Sequence, residues 1–163
     1  LTTNTIYMKK EETVDYHIKS VWHAISRMYN QGATTKGITA SVGFVLLNID
    51  MENGTPATKI APMLGMEARS LTRMLKNLEA NGLIYKVQDK QDKRLVRIHL
   101  TEEGKKKRRF SRNAVIYFNE KVRENVSEKE LEVFFKIMNT INNTIEENKV
   151  LDQIEIIENE QTH

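Results

Sequence analysis

The 163-residue sequence predicts a mainly α-helical chain with one small β-hairpin. Three observations lead there. Apolar residues recur at helical spacing in separate stretches, each bounded by capping or turn residues. Between Thr55 and Thr101 the order changes to short helix, turn, second helix and a hairpin with a charged tip. The charge is also segregated. Residues 55–112 hold fifteen Lys and Arg against six Asp and Glu, whereas residues 146–163 hold one Lys against six acids.

The elements follow in order. Val14, Ile18, Val21, Trp22, Ile25 and Tyr29 make a wide apolar face, which predicts a first helix from about Glu12 to Gln31. Gly32 to Gly37 reads as a loop. Thr39 or Ser41 is a cap for a second helix carrying Val42, Val45, Leu46 and Ile49. Thr55-Pro56 is expected to open a third helix, with Thr as cap and Pro at the first helical position. Pro62 removes a backbone bond inside that helix, so it should be bent or very short. A fourth helix, about Glu67 to Asn81, places Leu71, Met74, Leu75 and Leu78 on one side and stops at Gly82. Arg69, Ser70, Thr72, Arg73, Lys76 and Asn77 occupy its polar side. Two strands follow, Leu83 to Val87 and Leu95 to Leu100. The second alternates Val96, Ile98 and Leu100 inward against Arg97 and His99. Thr101 caps a fifth helix to about Asn125. Ser127 to Glu130 forms a capping box for a sixth, whose apolar face holds Leu131, Phe134, Phe135, Met138, Ile141 and Ile145.

Composition narrows the classes. No apolar run approaches the roughly 20 residues that cross a bilayer, and Leu1 to Glu12 lacks the apolar core of a secretory signal. A cytoplasmic protein with no membrane association is the plain expectation. The absence of cysteine removes disulfides, thiolate metal sites and thiol redox switching. The sequence shows no phosphate-binding glycine loop and no metal-ligand spacing. Neither an enzyme nor a cofactor is expected. A net +9 over residues 55–112 suits a polyanion.

Several motifs are specific in combination. Ala61-Pro62-Met63-Leu64-Gly65-Met66-Glu67 has the small residue and turn glycine of a helix-turn-helix. Thr72 to Ile84 closes the following helix, and Asp92-Lys93-Arg94 precedes Leu100-Thr101-Glu102-Glu103-Gly104. With Gly37-Ile38-Thr39, these resemble the MarR family of winged helix-turn-helix transcriptional regulators, over roughly Val14 to Ile145. Pro62 and Glu67 depart from the family pattern, which usually has a helix-friendly polar residue at the first position and a Ser, Asp or Thr cap at the second.

The resemblance implies a winged helix-turn-helix lobe at 55–101 and a helical dimerisation region at 12–54 and 102–149, supported by the second helix. An acidic extension at 150–163 would complete the chain. It implies a homodimeric repressor that recognises a pseudo-palindromic double-stranded DNA operator and is released by a small organic effector. Arg69, Ser70 and Arg73 are expected at the bases or the adjacent backbone, and Thr72, Lys76 and Asn77 at phosphates. At the wing, Arg94 is expected in the minor groove, with Lys90 and Lys93 on phosphates and Asp92 pairing with Arg94 or another arginine. The run Lys105 to Arg109 wraps around its helix and is expected to be mainly solvated. His17 reads as a packed dimer-core histidine or, with Trp22 and His23, as part of an effector site. The alternative to an operator-binding regulator is a winged-helix module that contacts protein or RNA. The few aromatics in the basic segment weaken its RNA form.

Overall fold

A computed structural model describes residues 8–147. They fall into two compact units that divide between Ile116 and Tyr117. The first contains α1 (Val14–Thr34), α2 (Ala40–Leu47), β1 (Thr55–Pro56), α3 (Ala57–Met63), α4 (Ala68–Ala80), β2 (Ile84–Gln88), β3 (Val96–Leu100) and the first part of α5 (Glu102–Arg123). The second contains the rest of α5 and α6 (Glu128–Glu147). The acidic stretch 150–163 lies outside the described residues.

The core of the first unit is one cluster. Val45, Leu46 and Ile49 from α2 and its exit meet Ile60 and Ala61 from α3, Leu71, Leu75 and Leu78 from α4, and Ile84, Ile98 and Leu100 from the sheet. Ile60, Ile98, Val45 and Leu46 are fully buried. Burying three side chains of α4 at spacings of four and three turns its opposite face outward. The helix-turn-helix bend is set at Gly65, whose φ of 59° is open to glycine at little cost. There the Met66 and Gly65 amides close onto the carbonyls of Ala61 and Pro62, at 3.0 and 3.2 Å.

Three expectations need correction. First, α1 runs through Thr34, so Gly32 and Ala33 are helical. Ala33 is buried in the core, and its carbonyl accepts from Lys36 and Ile38 in the closing turn. Second, Thr55-Pro56 does not start α3. It forms an edge strand paired with Ile98 and Arg97, giving a three-stranded antiparallel sheet of order β1-β3-β2. The Thr55 hydroxyl is taken by Asn48, to whose carbonyl it donates, and by the Asp50 amide, from which it accepts. Pro56, with no N–H to give, is tolerated on an edge. Third, Val96 is 40% exposed. It pairs with Gln88 at the end of the ladder, beyond the reach of the core under Ile98 and Leu100.

Other termini form as expected. α3 has seven residues with Pro62 inside. Thr39 caps α2 by accepting from the Val42 amide at 3.2 Å. Thr101 accepts from the Gly104 amide at 3.0 Å and donates to the Gly82 carbonyl at 2.6 Å. In the second unit the capping box is made. The Ser127 amide donates to Glu130 at 2.8 Å, and the Glu130 amide reaches the Ser127 hydroxyl at 3.4 Å.

Candidate nucleic-acid interface

The outward face of α4 and the tip of the β2–β3 hairpin carry the expected site residues. Arg69, Thr72, Arg73, Lys76 and Asn77 are exposed on α4, and Ser70 is half-buried. Two of the polar residues are already engaged locally. The Thr72 hydroxyl donates to the Ala68 carbonyl at 2.8 Å, and the Asn77 side-chain oxygen accepts from Asn81 at 2.7 Å. No side chain caps the N-terminus of α4, where Glu67 occupies the cap position.

Pairing separates the cations into two groups. Lys86, Arg97, Lys105, Lys106 and Lys107 each lie within ion-pair distance of a carboxylate. Arg69, Arg73, Lys76, Lys90, Lys93 and Arg94 make no ion pair among the described residues, and all six are exposed. Within the run at the start of α5, Lys105, Lys106 and Lys107 are therefore paired on their own helix, whereas Arg108 and Arg109 make no ion pair among the described residues. Lys105 holds the Glu102 carboxyl below its usual range, and Lys106 does the same for Glu103. Lys107 also donates to the Lys36 carbonyl, at 2.6 Å. α4 and the wing tip together thus present six exposed cations with no ion pair among the described residues.

The tip is built by an aspartate that the sequence reading passed over. Asp89 is buried at 7% exposure, and one of its oxygens accepts from the Gln91 and Asp92 amides at 2.8 and 3.0 Å. The other pairs with Arg97. These bonds, with the Asp92 amide and the Arg97 guanidinium leading, hold its carboxyl down at about 2. Asp92, expected to pair with an arginine, instead accepts from the Arg94 backbone amide at 2.9 Å. Its carboxylate thus shapes the turn and leaves the Arg94 guanidinium unpaired. Lys90, Lys93 and Arg94 ride on this turn. It is closed by the Asp89 backbone amide donating to the Leu95 carbonyl at 2.9 Å and the Gln88 side-chain amide donating to the Lys93 carbonyl at 2.6 Å.

His17, Trp22 and His23 are exposed on α1. The His17 ring nitrogen lies 2.7 Å from the Glu11 carbonyl, and the Trp22 ring tilts against Phe44 at 6.2 Å. None of the three lines the small apolar cleft of about 20 Å³ between α1, α2 and α5, which is walled by Tyr29, Phe44, Leu47, Phe110, Ser111 and Val115. The only sequence signal for that cleft was the helical spacing of Tyr29. Among the described residues no helix is long and apolar enough to cross a membrane.

A compact helical lobe, a two-helix bend and a three-stranded wing flanked by unpaired cations define a winged helix-turn-helix protein. Residues 38–96 match the family model described as MarR family. The HTH-type transcriptional regulator TtmR of Methylorubrum extorquens is 34% identical over 83 residues, which cover 51% of this chain and 43% of TtmR. The uncharacterized HTH-type transcriptional regulator YpoP of Bacillus subtilis is 33% identical over 94 residues, 57% of this chain and 56% of YpoP. The chain thus spans about half the length of these two relatives. The fold is shared with the S. aureus MepR–DNA complex at a TM-score of 0.74 and 24% identity, covering 82% of this chain and 98% of MepR. Both relatives are named as HTH-type transcriptional regulators.

Proposed function

We propose that the chain is a cytoplasmic, sequence-specific regulator that binds a pseudo-palindromic double-stranded DNA operator as a homodimer. It represses transcription there and is released by a small organic effector. The observation that carries this reading is the set of exposed cations on α4 and the wing tip, Arg69, Arg73, Lys76, Lys90, Lys93 and Arg94, which have no carboxylate partner among the described residues. Unpaired, solvated cations displace the counterions of a duplex without first breaking an internal ion pair. α4 fits the major groove, with Arg69, Ser70 and Arg73 toward the bases and Thr72, Lys76 and Asn77 toward phosphates. Arg94 reaches the minor groove between Lys90 and Lys93. MepR, of the same fold, was solved with DNA.

Self-association is supported by apolar surface in each unit. On α1, Val14, Val21 and Trp22 are more than half exposed, and on α6 so are Phe134, Ile137 and Ile145. A second copy covering such stripes would remove a large apolar area from water. An effector would act by binding the DNA-competent and incompetent forms with different affinity.

The test is titration of fluorescent duplex DNA and single-stranded RNA at matched salt. The reading predicts preference for the duplex and a log–log salt slope steepening by about 0.9 per phosphate neutralised. Equal binding of the RNA, or no duplex binding in dilute buffer, would sink it.

A further inference from the structure

We infer that Asp89 and Arg97 form a clamp that positions the wing tip for DNA against the loop preceding the helix-turn-helix, an inference that rests on the DNA-binding reading above. Arg97 sits on β3 opposite Val87 of β2. Its Nε donates to the Asp89 carboxylate, whose other oxygen organises the amides of Gln91 and Asp92 in the tip. Its Nη1 reaches the other way, donating to the carbonyls of Asn53 at 3.2 Å and Gly54 at 3.3 Å. Residues 53 and 54 lead directly into β1 and α3.

One guanidinium therefore bonds at one edge to the group that shapes the tip and at its end to the chain entering the first helix of the bend. Loop 53–54 cannot drift from it easily. Gly54 lies so close to β3 that an added Cβ would stand 2.6 Å from the His99 ring and 2.7 Å from the Ile98 carbonyl. The same loop is tied from its other end, because Asp50 accepts from the Glu52 and Asn53 amides at 3.0 and 2.6 Å. Arginine is required rather than any cation. A lysine ammonium keeps the charge but cannot place separate donors on a carboxylate and on two carbonyls beyond it. The clamp does not touch DNA. It fixes where Lys90, Lys93 and Arg94 stand, and a binding group held loosely loses much of its contribution.

The experiment measures affinity for a duplex recovered by selection from random DNA, using full-length wild type, Arg73→Ala, Arg94→Ala, Asp89→Asn, Arg97→Lys and the double variant Arg94→Ala/Arg97→Lys. Thermal unfolding is recorded for each. Asp89→Asn and Arg97→Lys should unfold cooperatively yet bind about tenfold more weakly. Arg94→Ala should cost distinctly less in the Arg97→Lys background than in wild type, because a displaced tip has already lost that contact. Wild-type affinity in Arg97→Lys, or full multiplicative loss in the double variant, overturns the clamp. Should Asp89→Asn fail to fold, Arg97→Lys and the double variant decide the matter. Loss of binding in Arg73→Ala with both clamp variants unaffected removes the clamp and leaves the DNA reading intact. Absence of wild-type binding removes both.

Discussion

Replacing Gly104 with alanine probes the joint between the wing and α5. A Cβ at Gly104 would lie 1.9 Å from the Leu83 carbonyl oxygen and 3.0 Å from its carbon. An ordinary carbon–oxygen contact is about 3.3–3.6 Å, so the start of α5 must withdraw from the head of β2 by more than an ångström. Two bonds cross that gap. The Thr101 amide donates to Leu83 at 3.1 Å, and the Thr101 hydroxyl donates to Gly82 at 2.6 Å. Overpacking costs about 1–3 kcal/mol, and weakening two neutral hydrogen bonds costs about 1 kcal/mol each. The helix gains at most about 1 kcal/mol from losing a glycine. The net loss is about 2–4 kcal/mol, which for a chain of this size lowers the melting temperature by roughly 4–16 °C. Gly32→Ala is the internal control. Its Cβ would meet nothing nearer than the Phe110 ring at 4.0 Å, so it should stabilise the helix by about 0.5–1 kcal/mol. Thermal unfolding followed by far-UV circular dichroism reads both. A Gly104→Ala protein melting at or above wild type would refute the close-approach argument.

Other outcomes can be checked alongside. Ile98→Ala removes a fully buried side chain from under the sheet and should cost about 2–5 kcal/mol in urea denaturation; a loss below 1 kcal/mol would mean the core is looser than described. Asp89 has its folded pKa depressed to about 2, below an unfolded value near 3.9. Its contribution to stability is therefore complete above the unfolded value and is lost as pH falls through the folded one. The gap in denaturation midpoint between wild type and Asp89→Asn should stay constant down to about pH 5 and shrink between about pH 4 and 2. Closure of that gap near neutrality would contradict the assignment. Lys93→Ala should weaken binding to all duplexes alike and reduce the salt slope by about one, whereas Arg73→Ala should cost about 1–3 kcal/mol and relax preference at one base position. The same loss on every sequence for Arg73→Ala would move that residue from the bases to the backbone.

Much of the fold was legible because its signals are local. The turn at Gly65, the apolar spacing of Leu71, Leu75 and Leu78, and the capping box at Ser127 each depend on residues within one or two turns of each other. β1 was not legible, since two residues cannot show alternation, and Thr55-Pro56 satisfies the rules for a helix start as well as those for an edge strand. The end of α1 was misread for a related reason. Gly-Ala-Thr-Thr has the composition of a loop, yet Ala33 is buried against the core and the helix continues through Thr34. Within the site, the exposed cations of α4 follow from helical periodicity. The partnership of Asp89 with Arg97 does not, because it depends on the hairpin register that sets Val87 opposite Arg97. With Asp92 nearer to Arg94 in sequence, proximity favoured the wrong acid, and the backbone amides of the tip decided otherwise.

Selection of bound duplexes from a random pool interrogates the proposed mode of action most directly. Paired reading heads should enrich an inverted repeat with half-site centres about 10 base pairs apart, or one helical turn. Recovery of a single unrepeated half-site, or of a pool no different from the starting one, would contradict it.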